Sequence, residues 1–243
     1  MNFKTTLLRA FKRLGLDVTR LNKSPSYTFL GLRNIRFGTV IDVGANRGQF
    51  ARFASEFFPN SEFYCFEPLE EPFRELTEWA KTQNGRVHCF QLALGEQEGE
   101  VDMHMHEQHL PSSSILAATD NCHQLYPQTR VERRVSVKVS TLDKVLEDVL
   151  DKLPHEIFLK LDVQGFEDRV LRGGVALIPN CRAILLEISL DALYEGQADF
   201  LRIMQLMYAN NFRYAGNLTQ VYGDDGRVVY LDALFLRKKN AGN

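Results

Sequence analysis

Residues 40–50 read VIDVGANRGQF: an apolar run, a glycine-bearing turn, then a polar stretch of helical character. The run TVIDVG (39–44) is apolar at alternate and intervening positions, which suits a strand covered on both faces. Gly44 and Gly48 let the chain bend sharply and remove the Cβ that would hold a ligand away from the backbone. In open α/β sheets such bends lie beyond the carboxyl ends of strands, where small molecules collect.

Outward from this stretch the pattern alternates. Residues 47–57 read as a helix, EFYCFEP (62–68) as a strand, 70–82 as a helix and VHCFQLAL (87–94) as a strand. That cadence predicts a parallel sheet with helices on both faces. It breaks at Gly95 and Gly99, where the alternating VDMHMH (101–106) suggests a short hairpin leaving the sheet line. Residues 110–128 read as loop with local helix, and RRVSVKVS (133–140) as a half-exposed strand. The rhythm resumes with a helix at 141–151, a strand at 156–163, a helix at 166–172, a strand at 182–189 and a helix at 198–210. Two strands, 213–223 and 227–237, close the chain around Asp224-Asp225-Gly226, a strong hairpin signal.

Two cofactor classes use a turn of the kind at 44–48. Dinucleotides favour G-x-G-x-x-G, with a pyrophosphate on the helix N-terminus. Here Asn46 replaces the second glycine of that pattern, and its side chain obstructs a pyrophosphate. The spacing is D-x-G-x-x-x-G, from Asp42 through Gly44 to Gly48. It suits S-adenosylmethionine, which has no phosphate and carries a zwitterionic tail; Asp42 could meet its ammonium directly or through water. The second strand ends at Glu67, where a carboxylate can accept from both ribose hydroxyls of either cofactor, or simply cap the next helix.

The order VIDVGANRG, FEP, LALG, STLD and FLKLDVQGFEDRVLRGG resembles the FkbM-type methyltransferases from about residue 39 to 236. The most specific element is K-x-D-x-x-G-x-E: Lys160, Asp162, Gly165 and Glu167. The resemblance implies a class I, Rossmann-like fold. That is a three-layer α/β sandwich whose seven-stranded, mostly parallel sheet has the order 3-2-1-4-5-7-6 and ends in an antiparallel hairpin. It implies S-adenosylmethionine as cofactor and methylation of a hydroxyl on a sugar, glycan precursor or small metabolite. Asn46, Pro68 beside Glu67 and Ala93 of LALG join the cofactor set on this basis; Ser113 of the triplet Ser112-Ser113-Ser114, aligned with a serine that recurs in the family, would contact the cofactor, form part of a lid or sit in an ordinary polar loop. The family often has an acid where this chain has Gln164.

Lys160 and Asp162 share one face of the strand 156–163, and a lysine inside a central parallel strand needs a partner. Glu187 ends the next core strand and could face the same pocket. Asp162 and Glu187 could act as a base and its supporter or as two ligands of Mg²⁺, or Lys160 could neutralise Asp162 in a structural pair while Glu187 only caps a turn. Glu167 is either a first-turn acid favoured by the helix dipole or a functional group. His104, His106 and His109 lie close in sequence without a third ligand at a convincing metal spacing; His106 could serve as a general base if the hairpin folds over the site.

The 243 residues carry 44% hydrophobic and 25% charged side chains and a formal charge of −2, which gives no footprint for nucleic acid. No apolar stretch is long enough to span a membrane, and no secretory signal is visible. Scattered Cys65, Cys89, Cys122 and Cys181 fit a reducing cytoplasm. Residues 1–38 hold eight Lys/Arg and one acid, Asp17, and Phe3, Leu7, Phe11 and Leu14 repeat at helical spacing. This predicts a basic helical extension before a catalytic domain at 39–243. The helix would dock on the domain, make a homodimer contact, or touch a membrane surface weakly through residues 1–20. A degenerate nucleoside-binding subunit and an NAD-dependent oxidoreductase are the competing functional readings.

Overall fold

The computed structural model describes residues 24–154 and 156–238, together with residues 7, 9, 11–16, 18 and 20. Among the described residues ten strands form two sheets. The main sheet has the order β3-β2-β1-β7-β8-β10-β9. Its strands are β1 (Thr39–Val43), β2 (Glu62–Phe66), β3 (Val87–Phe90), β7 (Ile157–Leu161), β8 (Cys181–Ser189), β9 (Phe212–Tyr222) and β10 (Val228–Arg237). β1 pairs in parallel with β2 and β7, and β7 with β8, whereas β10 runs antiparallel to both β8 and β9. Counted along this sheet alone, the order is the 3-2-1-4-5-7-6 that the resemblance implied.

All five residues of β1 and of β7 are buried, because helices cover both faces. On one face Val40, Phe63, Phe158 and Leu185 pack against Ala51 and Ala54 of α1 (Gln49–Phe57) and Leu76 and Ala80 of α2 (Glu70–Lys81). On the other, Ile41, Leu159, Ile184 and Phe235 meet Leu142 and Leu146, Val170 and Leu171, and Ile203 and Met207. The short α4 (Leu142–Leu146) and α5 (Glu167–Arg172), with α6 (Phe200–Ala209), supply those side chains. Odd and even strand positions therefore feed separate cores, the signature of a sheet buried on both sides. The helix expected over 141–151 is the short α4 plus a separate 3₁₀ turn at Leu150–Lys152.

The second sheet corrects two expectations. VHCFQLAL is not one strand: β3 stays in the main sheet, while β4 (Ala93–Leu94) joins a three-stranded sheet of order β4-β6-β5. VDMHMH is not half of a local hairpin either. β5 (Gly99–His106) pairs antiparallel with β6 (Glu132–Ser140), across an insertion that contains α3 (Asp120–Leu125). Met103, Val137, Val139 and Ala93 form a small core with Leu69, so this sheet is clamped beside the end of β2.

Helical residues occur at 7, 9 and 11–13; Phe3 lies outside the described residues. Leu7 is 47% and Leu14 74% exposed, so the apolar stripe is not docked on the domain at these positions. The later part of the 1–38 segment behaves differently. Phe29 and Leu32, each 1% exposed, are core residues, and the Phe29 ring lies 5.3–6.2 Å from those of Phe50, Phe53, Phe57, Phe58 and Phe158.

Candidate active site

The bend after β1 is built against β7. Gly44 has φ +73°, and a Cβ there would stand 1.9 Å from the carbonyl oxygen of Asp162. Only glycine permits that approach. The N–H groups of Gly44 and Ala45 donate to Phe66 O at 3.0 and 2.9 Å, which ties the bend to the end of β2. Asn46 sits at φ +48°, and its Oδ1 accepts from Arg47 N at 2.8 Å. The next two amides of the turn are thus already taken by side chains, that of Asn46 by Glu67 and that of Arg47 by Asn46. Gly48, at φ +81°, packs its α-carbon against α2; an added Cβ would lie 2.9 Å from Leu76 Cδ1. It does not line the cavity, so its place in the cofactor set is corrected to turn geometry and helix packing.

Glu67 closes β2 and is 5% exposed. Oε2 accepts from Asn46 N at 2.9 Å and Oε1 from Leu69 N at 2.8 Å. Each oxygen keeps a second lone pair for a ligand hydroxyl. Burial outweighs those two amides and pushes the carboxyl up to about 7.

A cavity of about 300 Å³ opens between this bend and the small sheet. Gly44, Asn46, Glu67, Pro68, Ala93 and Ser113 line one part of it, and Lys160, Asp162, Gln164 and Asp232 another. Leu92, Leu110 and Ile115 bring the second sheet and the insertion over it. Such a mixture of apolar walls and few convergent polar groups is what a small-molecule site requires.

Two rows of charge cross the sheet face below the cavity. In the lower row Asp42 of β1 and Lys160 of β7 are register partners. Lys160 Nζ lies 3.1 Å from Asp42 Oδ1, 3.1 Å from Gly44 O and 3.3 Å from Asp162 Oδ2. Burial opposes the ammonium, but the Asp42 and Asp162 carboxylates outweigh it and hold the lysine above its ordinary range. Burial also raises Asp42, against the attraction of Lys160. Asp42 is fully buried and does not line the cavity. Lys160 meets it as an ion pair, and neither oxygen is assigned a hydrogen-bond donor among the described residues. Direct contact between Asp42 and a ligand ammonium is therefore corrected: the aspartate neutralises Lys160 from beneath.

The upper row lies one pleat further toward the carboxyl ends. Asp162 follows β7, Glu187 is on β8, and Asp232 on β10 is the register partner of Glu187. Gln164 Nε2 donates to Asp162 Oδ1 and Glu187 Oε1, each at 2.8 Å. Its Oε1 lies 2.6 Å from the Tyr194 hydroxyl, which is also 3.0 Å from Ser112 O. The amide is thereby oriented with its donors toward the acids. Gln164 has φ +54°, and Ser114 Oγ donates to its carbonyl at 2.7 Å. Glu187 is pushed well up, first by burial and then by the nearby Asp162, Asp232 and Glu167. Asp232 is raised by burial, against a hydrogen bond from Thr219.

Glu167 serves the turn. Its Oε1 accepts from Val163 N at 2.9 Å and Gly165 N at 3.3 Å, and burial lifts it to about 7. It is buried and does not line the cavity.

The histidines fall away from the chemistry. His106 is fully buried, lines no part of the cavity, and neither ring nitrogen has a hydrogen-bond partner among the described residues. Burial lowers its pKa, so the ring is neutral. Its assignment as a general base is corrected. Its backbone N–H does matter, donating to Ser113 Oγ at 3.1 Å. His104 pairs with Glu132 at 3.1 Å and His109 with Ser112 Oγ at 2.8 Å. Among the described residues no group of three or more His, Cys, Asp or Glu is arranged to hold a metal ion, so the Mg²⁺ option gains no support.

Asp232 and Gln164 were not selected from the sequence. An aspartate in the apolar strand VVYLDALFLR invited the same question as Lys160. Gln164 carried only its departure from the family pattern.

With this geometry in view, the likenesses are specific. The model of the methyltransferase FkbM domain matches residues 42–214. The chain belongs to that family. It is therefore a methyltransferase by descent, and the class I arrangement of its sheet agrees. Among characterised relatives, 2-O-methyltransferase NoeI of Sinorhizobium fredii is 27% identical over 173 residues, covering 69% of this chain and 70% of the relative. Hexuronic acid methyltransferase AglP of Haloferax volcanii is 25% identical over 147 residues, 60% of this chain and 54% of the relative. The crystal structure of the FkbM methyltransferase from Methylobacillus flagellatus superposes with a TM-score of 0.50 at 15% identity. The match covers 82% of this chain but 43% of that one, and shows a shared fold.

Proposed function

We propose that this FkbM-family chain is an S-adenosylmethionine-dependent O-methyltransferase acting on a hydroxyl of a sugar or glycan precursor. The observation that carries the reading is the cavity itself. It joins a nucleoside-type end, Gly44 to Asn46 with Glu67, to a carboxylate-bearing end at Asp162 and Asp232. Asn46 occupies the turn amide that a pyrophosphate would use, which favours a nucleoside without phosphates.

When bound, S-adenosylmethionine supplies a methyl group already activated by positive sulfur. Glu67 would hold the ribose through its spare lone pairs, with Pro68, Ala93 and Ser113 walling the pocket. The chain must then place an acceptor oxygen in line, and such positioning can supply roughly 7–11 kcal/mol. Asp162 is the group best placed to accept the hydroxyl proton, because it reaches the cavity while Lys160 and Gln164 fix its two oxygens. Glu187 supports it through the Gln164 bridge.

The names of two relatives, a 2-O-methyltransferase and a hexuronic acid methyltransferase, support a carbohydrate acceptor. We place the protein in the cytoplasm, in keeping with four free cysteines; Cys65 and Cys89 are cross-strand partners yet unbonded. No helix among the described residues is long and apolar enough to cross a membrane. We assign residues 39–243 to the catalytic domain and residues 1–38 to an extension whose Phe29 and Leu32 are built into one of its cores. The exposed Leu7 and Leu14 suit a second copy or a membrane surface.

Calorimetry with S-adenosylmethionine and with NAD tests the cofactor. Heat with NAD and none with the methyl donor would sink the reading. A screen of nucleotide sugars with labelled methyl donor, with and without chelator, tests the acceptor. Tight donor binding with no transfer to any carbohydrate would favour a silent binding subunit.

A further inference from the structure

The upper row of carboxylates is unbalanced. Asp162, Glu187 and Asp232 come from three neighbouring chain segments; Asp162 and Asp232 line the same end of the cavity, and Glu187 is tied to Asp162 through Gln164 and paired in register with Asp232. Among the described residues the cation within reach is Lys160, which already serves Asp42 and Gly44 O as well as Asp162. Gln164 donates two hydrogen bonds to the row but brings no charge. The other groups turned toward Glu187 add none that is positive: Glu167 of α5 is acidic, and Tyr126, Tyr194 and Tyr230 are phenols raised chiefly by burial. Crowded acids of this kind retain protons that isolated ones would lose. The methyl donor and its product differ at this end by one charge, a sulfonium against a neutral thioether.

We propose that Glu187 and Asp232, register partners beside Asp162, hold a proton that departs to solvent when the cationic methyl donor enters the cavity and stays when the thioether product does. Asp232 is thereby a specificity-determining residue that tells donor from product. The inference rests on reading the cavity as an S-adenosylmethionine site. An added positive charge within a few ångströms lowers a carboxyl pKa by about 1–3 and so favours release of that proton. The deprotonated row then attracts the donor and leaves Asp162 ready to accept the acceptor's proton. Once sulfur is neutral the attraction is gone, which favours exchange of product for fresh donor. Glu67 titrates near neutrality, but both ligands carry the same ribose, so its contribution cancels between them.

The test needs no acceptor. The full chain is titrated calorimetrically with S-adenosylmethionine and with S-adenosylhomocysteine at pH 7, in two buffers of different ionisation enthalpy. The donor should release roughly half a proton or more beyond the product. Asp232→Asn and Glu187→Gln should shrink that difference and lower the donor-to-product affinity ratio by roughly 3–10-fold. Affinity for the product should stay within about threefold of wild type, since the lost attraction is to the donor's extra charge. Equal proton counts for the two ligands in the wild-type chain overturn the proposal, whatever the variants do. Absence of heat with both ligands overturns the cofactor reading itself, and the inference with it.

Discussion

The two charge rows on this sheet face have opposite constructions. In the lower row one lysine answers one fully buried aspartate, and nothing of Asp42 reaches the cavity. In the upper row Asp162 and Glu187 share the Gln164 amide, Asp162 takes a fraction of that same lysine, and Asp232 stands beside them; Asp162 and Asp232 line the cavity. Matched charge below holds the site together; unmatched charge above is available for chemistry. The same lysine belongs to both rows, so the structural pair also sets how much positive charge the reactive row receives.

That contrast breaks most sharply at Asp162. Asp162→Asn keeps the shape and a hydrogen-bonding group but removes the base. Methyl transfer should fall by about 10²–10⁴, measured with labelled donor on the acceptor found by screening. Affinity for S-adenosylhomocysteine should stay within about threefold, because no product contact depends on a base. If affinity fell as far as turnover, the upper row would be a binding element like any other and the contrast would collapse.

The lower row predicts instability instead. Lys160→Met leaves Asp42 buried and unpaired, and should cost about 3–5 kcal/mol in denaturant unfolding. The double variant Lys160→Met with Asp42→Asn removes both charges and should recover most of the loss. A double variant no more stable than the single would mean that Asp42 is not what Lys160 serves.

Glu67 sharpens the comparison between the cavity's two ends. Glu67→Gln should weaken S-adenosylmethionine by about 1–3 kcal/mol, the scale of a charged hydrogen-bond acceptor. The wild-type carboxyl is raised to about 7, so it is ionised above that pH and protonated below it. A ribose that needs the ionised form should bind progressively more weakly as pH falls from 7 toward 5. In Glu67→Gln that fall should flatten for the product, S-adenosylhomocysteine. A slope unchanged by the substitution would remove Glu67 from the ribose.

The end of the cavity at Gly44 and Glu67 was legible in the sequence because it is local. VIDVG followed by a glycine turn and FEP places Gly44 and Glu67 at adjacent strand ends, whatever the rest of the chain does. Closing strands around Asp224-Asp225-Gly226 were equally local. The roof over the cavity was not. β5 finds its partner β6 across the insertion, and a pairing at that separation leaves no periodicity to read. The split of VHCFQLAL between two sheets has the same cause, since either half satisfies a strand pattern. Asp232 required knowing that β10 lies beside β8 and in which register. The role of Gln164 required Tyr194, thirty residues away in sequence.

The smallest expected effect lies at His106, where the sequence suggested chemistry and the fold gives none. Its ring is fully buried, unpartnered and neutral. Replacing such a group by an apolar one of similar size removes an unmet polar requirement, so His106→Leu should change stability at neutral pH by about 1 kcal/mol or less, toward stabilisation. Turnover should be unaltered. The sharper signature is on the acid side. The folded-state pKa lies below the ordinary 6.5, so as pH drops through that value the unfolded chain takes up a proton that the folded chain refuses. Wild-type stability therefore carries a component that declines with falling pH, and His106→Leu should lose it. Glu67 and Glu167, both raised to about 7, titrate in the opposite sense over the same range. They are common to both proteins and cancel when the two stability curves are subtracted. A difference curve flat from pH 7 to 5, or a variant with impaired transfer, would return the ring to the catalytic side of the comparison.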